Sequence, residues 1–273
     1  MDPHSRGGQP STPVAAGLSV QQAQYGGLGD RKSSVKRIGF VWHGDRNIGG
    51  GDHSTFELAR HLKPEFCAVL IYGKHNRLVE QYKEAGIETV QIRFHPDITN
   101  VYRDSIRTTP LSLVKYARRF LETAWCLWRT VRDYDLQLLH PIDNLSKIIA
   151  GIVGRFAPVP VVSHCHDELT PPPIDRFLRG YQAVMMDAVI AVTNRVRERM
   201  VLPGFTNRKV VTIFNGVDAD IFDPGCVERS ADFPFEWVGP KTVVGMIAVF
   251  DECKGHEHLF EACAPLKRMG LNH

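Results

Sequence analysis

Three stretches of the sequence carry groups suited to charged or hydroxyl-rich ligands. The first is Gly49-Gly50-Gly51, directly ahead of a helical pattern. Glycine lets a ligand approach the backbone closely, and a helix N-terminus adds free N–H groups and the positive end of its dipole. The chemistry implied is anion binding, with a flexible loop as the plain alternative. The spacing departs from the G-x-G-x-x-G fingerprint, which argues against NAD. The second is "HCHDE" at 164–168. His164 and His166 stand at i and i+2 on a strand end with no matching cluster elsewhere, so no metal is expected. His166 is instead a candidate polar contact to a sugar or phosphate, against a structural histidine of equal weight. The third is Lys254-Gly255, between an apolar strand-like run and a helix, where an ammonium can meet a diphosphate. A surface lysine is the ordinary alternative. "NGVD" at 215–218 reads as a tight turn.

The elements that must position these groups alternate regularly. "KRIGFVWHG" is a short apolar strand, and "GGGDHSTFELARHLK" a helix with Asp52 or Ser54 available as N-cap. "CAVLIYG", "NRLVEQYKEAGI" and "ETVQIRF" continue as strand, helix closed by Gly86, and strand. Further on, strands at "LQLLHP", "VPVVSHCH", "AVIAVT" and "KVVTIFNGVD" alternate with helices, one of them with a small-residue face at "SKIIAGIVGRFA". This is the pattern of an α/β doubly wound parallel sheet, with ligands expected outside the carboxyl ends of its strands. The expected divisions are a disordered segment 1–35, a domain 36–222, a linker 223–241, and a second unit 242–273. That second unit holds only a strand, Thr242 to Val249, and a helix, His256 to Met269. One βα unit cannot bury both faces of its strand, so it reads as unfinished.

The chain of 273 residues has room for two modest domains. Its formal charge of +3 is too small to argue for a nucleic-acid partner. Six cysteines without a C-x-x-C pair fit reduced thiols. No apolar run is long enough to span a bilayer and the first residues lack a secretory signal, so the cytoplasm is the expected location. The long helix carrying Arg118, Arg119, Trp125, Trp128, Arg129 and Arg132 has two readings. Its aromatics are expected to pack on the sheet with its arginines solvated; a helix on a membrane surface is the alternative.

In this order the pieces resemble the retaining glycosyltransferases of family 4, of GT-B architecture. The resemblance rests on Gly49, Gly50, Asp52 and "ELARHL" at 57–62, on "AVIAVTNRVRERM", on "KVVTIFNGVDADIF", and on "VVGMIAVFDECKGHEHLFEA". It covers about Lys36 to Met269. It implies two Rossmann-like domains, the first on the acceptor side, and transfer of a sugar from a nucleotide-sugar donor with retention, usually without a metal. It also implies that Gly49 and Gly50 approach the diphosphate or acceptor, that Lys254 neutralises the departing phosphate, and that His166 contacts the transferred sugar.

Two departures stand out. The family's Gly-Arg ahead of the last turn is replaced by Ala248 and Val249, and the E-x7-E donor segment is not reached. The expectation is therefore a truncated chain, inactive alone. The alternative is a non-catalytic remnant that binds an acceptor or partner. A nucleotide-sugar epimerase of the same shape is disfavoured by the motifs. The sugar, the nucleotide and the acceptor are left open.

Overall fold

The structure is a computed structural model that describes residues 35–44, 48–99, 109–166, 174–201, 209–220, 222–223, 225, 244–250 and 254–269. The expected disorder of 1–35, most of the 223–241 linker, and Asp167 and Glu168 of "HCHDE" lie outside them. The described chain divides into two compact units, one up to Gly216 and one from Val217.

Seven parallel strands build the first unit: β1 (Lys36–Trp42), β2 (Phe66–Tyr72), β3 (Glu88–Gln91), β4 (Leu138–Pro141), β5 (Val162–Cys165), β6 (Ala188–Ala191) and β7 (Val210–Thr212). Four of them form one sheet in the order β3-β2-β1-β4, and three form another in the order β5-β6-β7. A single parallel bridge, Leu139 to Val161, joins the two. Strand order therefore reverses at β1, which has β2 on one side and β4 on the other.

Alternation along the strands supplies a core on each face. Val41, Val69, Ile71 and Leu139 belong to one buried cluster with Leu127, Val131 and Ile149. These last three come from α4 (Pro110–Asp133) and α5 (Asn144–Phe156). Phe40, Trp42, Leu70 and Tyr72 belong to the other, with Phe56, Leu78 and Tyr82. These come from α1 (Gly50–Arg60) and α2 (Arg77–Glu84). Leu70 is fully buried, so Leu70→Ala would cost about 2–5 kcal/mol in lost transfer and cavity terms.

Local signals fix the helix ends. The Asn76 side chain accepts from the Leu78 and Val79 N–H groups to start α2, and Gly86, at φ 74°, follows its end. Thr109 caps α4, with Pro110 in its first turn. The small face of α5 has a steric reason: a Cβ on Gly154 would lie 2.4 Å from Val161 Cγ2. Between the strands run the short α3 (Pro96–Thr99), α6 (Ile174–Met185) and α7 (Asn194–Met200).

Three expectations are corrected. Helix α1 begins at Gly50, not after Asp52 or Ser54. Gly49 is the N-cap, and the Asp52 carboxylate reaches back to its N–H at 2.8 Å. The aromatics of α4 do not both pack on the sheet: Trp125 is exposed and stacks on Trp128 with centroids 4.8 Å apart. In the second unit, residues 244–250 form no strand, and Val244, Ile247, Val249 and Phe250 are exposed. An extended segment needs a neighbour for its N–H and C=O groups, and none pairs with it among the described residues. The helical half is present as α8 (His256–Arg268), which contains Pro265.

Candidate functional site

Strand order reverses at β1, and in open α/β sheets ligands bind outside the carboxyl ends of the strands at such a point. His43 and Gly44 follow β1, Gly49 to Gly51 open α1, Asp143 follows β4, and His166 follows β5.

Two of the sequence candidates meet there. The imidazole of His166 lies over the first turn of α1, so close that a Cβ on Gly51 would stand 3.0 Å from His166 Cδ2 and 3.1 Å from Cγ. Glycine at 51 is thus what lets His166 sit against this helix. Gly50 has nothing within 4 Å of where a Cβ would be, and Gly49 only Asp52 Oδ2 at 3.8 Å. The N–H groups of Gly50 and Gly51 precede the first helical hydrogen-bond partners. The glycine run therefore has three uses: Gly51 packs, Gly49 caps the helix with its N–H taken by Asp52, and Gly50 presents open backbone.

Behind His166 stand two more imidazoles. His164 lies 4.1 Å from His166 and 5.6 Å from His140, centroid to centroid. His140 and His164 are both buried. Burial pushes the pKa of each down to about 3, helped at His140 by Lys147 and His166, and at His164 by His166, His140 and Lys147. Both rings are neutral at pH 7. Nε2 of His140 and both nitrogens of His164 have no hydrogen-bond partner among the described residues. No three His, Cys, Asp or Glu side chains among those residues are placed to hold a metal ion.

The other wall is a histidine–carboxylate pair. His43 Nδ1 lies 2.8 Å from Asp143 Oδ1, and the His43 N–H donates to Asp143 Oδ2 at 3.0 Å. Asp143 also accepts from the Ser146 N–H at 2.9 Å and the Ser146 hydroxyl at 2.7 Å, capping α5. Burial acts to raise the pKa of Asp143, but His43 and the N–H groups of Ser146 and His43 together hold it below the usual carboxylate value. Asp52 is shifted the other way: burial raises it, with the Asp143 charge adding and Gly49, His53 and His43 opposing. Further along the rim, the Ser54 hydroxyl donates to Asn215 Oδ1 at 2.9 Å, tying α1 to the "NGVD" turn. Lys254 lies in the second unit, exposed, just ahead of Gly255 at φ 73° and of α8.

The family model for Glycosyltransferase Family 4 matches residues 48–221. The chain belongs to glycosyltransferase family 4. No curated protein matches it in sequence. Among solved structures, the glycosyltransferase-family chain is similar to Anabaena Alr3699/HepE in complex with UDP-glucose, at 16% identity and a TM-score of 0.62, over 84% of this chain and 57% of that one. HepE in complex with UDP and glucose matches at 17% identity and a TM-score of 0.63. A glycosyltransferase from Rickettsia africae ESF-5 matches at 18% identity and 0.51, over 71% of this chain and 47% of that one. The chain thus spans about half the length of the structures it matches. These likenesses show a Rossmann-like α/β fold corresponding to half of a GT-B glycosyltransferase.

Sequence reasoning placed Gly51 in the anion-binding run without its packing role, and missed the His43–Asp143 pair. An Asp ahead of a helix was legible as a cap, and His43 as the residue ending the first strand. Their contact is not: 100 residues separate them, and only the β1–β4 pairing brings them together.

Proposed function

We propose that this chain carries the acceptor side of a retaining glycosyltransferase and the first part of its donor side. The observation that carries the reading is His166 lying on Gly51 at the switch point, in a chain whose family is settled. Transfer breaks the bond between the sugar's anomeric carbon and the diphosphate, and forms one from the same carbon to an acceptor oxygen. The acceptor's proton leaves, and negative charge develops on the nucleoside diphosphate. Such a reaction is accelerated by donors and cations placed where that charge appears. In this reading Lys254 neutralises the diphosphate, Gly49 and Gly50 admit ligand to the backbone, and His166 holds a hydroxyl of the transferred sugar.

The charges along the first unit's rim favour this division of labour. Asp52 and Asp143 would repel a diphosphate, whereas carboxylates and neutral imidazoles accept hydrogen bonds from hydroxyl groups. A hydroxyl-rich acceptor suits that rim. The donor is a nucleotide sugar, as in the HepE complexes with UDP-glucose. Val249, exposed where the family has arginine, leaves one cation fewer for the diphosphate.

We further propose that the 273-residue chain does not turn over a nucleotide sugar by itself, because the segment ahead of Lys254 pairs with no strand among the described residues. The test is a panel of UDP-, GDP- and ADP-sugars, followed for sugar release and transfer, with binding measured in parallel. Binding without turnover is expected. Robust turnover would overturn the inactivity, and absence of binding to any of the panel would overturn the glycosyltransferase reading of this chain.

A further inference from the structure

The outer face of α4 carries an exposed apolar stripe. Leu111, Val114, Leu121 and Trp125 recur at helical spacing along it and are 81%, 67%, 65% and 59% exposed. Trp125 stacks on Trp128, and the Arg132 guanidinium sits 4.8 Å over the Trp128 ring. Where α4 packs on α5, an apolar groove of about 380 Å³ opens beside this stack, walled by Leu121, Trp125, Trp128, Ile152 and Phe156. Phe156 is itself 77% exposed. From Leu111 to Arg132 the stripe runs about 30 Å at 1.5 Å per residue.

Arginines are interleaved on the same stripe. Arg129 and Arg132 lie one turn after Trp125 and Trp128, Arg118 lies two turns before Trp125, and all three are exposed. The acids on this helix are Glu122, engaged by Arg118 and Arg119 at 3.0 and 2.8 Å, and Asp133 beside Arg132, against Lys115, Arg118, Arg119, Arg129 and Arg132, so positive charge is in excess. The face is therefore apolar and cationic together.

From this geometry we propose that the α4 face lies on an anionic lipid bilayer. Charge complementarity decides the occupant. A symmetric second copy would set one net-positive stripe against another, with Asp133 alone to offset the arginines. A bilayer carrying acidic headgroups meets the arginines with phosphate and carboxylate, while their aliphatic stems and the indoles lie at headgroup depth. The leucines, Val114 and Phe156 then enter the acyl boundary, and the α4–α5 groove can take up an acyl chain. The inference needs nothing from the sugar-transfer reading.

The test is flotation of the full chain with vesicles of phosphatidylcholine, alone or with phosphatidylserine. It is joined by tryptophan emission and by quenching with bromine-labelled lipids. Binding to the anionic vesicles, a blue shift and quenching are expected, all weakened by salt. Arg129→Gln with Arg132→Gln should lower partitioning by about 20-fold, taking each arginine near the surface as about fivefold. Trp125→Ser should remove most of the blue shift and quenching. Arg77→Gln with Arg195→Gln, which removes two exposed arginines elsewhere, should leave binding within about twofold. The proposal is overturned by failure to float with anionic vesicles at low salt, or by equal losses from the two arginine pairs. It is also overturned if sedimentation shows a dimer that Trp125→Ser dissociates.

Discussion

Alanine at position 51 tests the contact on which the site is built. A Cβ there would stand 3.0 and 3.1 Å from the His166 ring, so the ring must withdraw by a few tenths of an ångström or more. Overpacking of this kind costs about 1–3 kcal/mol. Against it stands the gain of alanine over glycine in a helix, at most about 1 kcal/mol and smaller in a first turn. Gly51→Ala should therefore lose between about 0 and 3 kcal/mol of stability by urea denaturation. The position of His166 should change more than the stability. Its imidazole resonances in a ¹H–¹³C spectrum should shift, and those of His164, 4.1 Å behind it, should follow. Gly50→Ala is the control: with nothing within 4 Å it should leave both rings unmoved. If Gly51→Ala stabilises the protein and leaves the His166 signals where they were, the ring does not lie on this helix, and the site as described is wrong.

Acid should weaken the fold through the buried imidazoles. His140 and His164 are held near pKa 3 in the fold and titrate near 6.5 when unfolded, so the unfolded chain binds more protons between those values. Stability should fall as pH drops below about 6.5, by up to about 1.4 kcal/mol per pH unit for each ring. Denaturation at about pH 7 and about pH 5 measures this, and His140→Gln should flatten the slope. Asp143→Asn should cost about 1.5–3 kcal/mol near neutral pH, because charged hydrogen bonds to His43 and Ser146 are weakened. Since the Asp143 pKa is lowered in the fold, the wild-type advantage should be present above about pH 4 and lost as pH falls through the folded value. Ser54→Ala should cost at most about 1 kcal/mol, as its partner Asn215 is exposed, but should speed amide exchange at Asn215 and Gly216.

Most of the fold was legible because its signals are local. Apolar runs of strand length, Asn76 and Thr109 as caps, and Gly86 as a stop each act within a few residues. The α1 boundary was misplaced because Asp52 is as good a cap by type as Gly49 is poor. What decides is that Asp52 serves from inside the first turn, hydrogen-bonding back to the Gly49 N–H. Residues 244–250 have the composition of a buried strand, but composition cannot supply the neighbouring strand that makes one. At the site, Gly49, Gly50 and His166 were legible as candidates, the glycines by their place ahead of a helix and His166 by its place at a strand end. The separate use of Gly51 was not, because packing against His166 depends on a contact across 115 positions of sequence. The outward turn of Trp125 was missed for a similar reason: which face of α4 meets α5 is set by packing between helices, not by the residues of α4 alone.

We predict that the reacting sugar is received at the carboxyl ends of β1 and β4. The most direct measurement is amide and imidazole shift mapping of the chain during titration with a panel of nucleotide sugars. Saturable shifts at His43, Gly50, Gly51 and His166, weakened by His166→Ala, are predicted. Saturable shifts confined to other surfaces, with these four unmoved throughout, would contradict it.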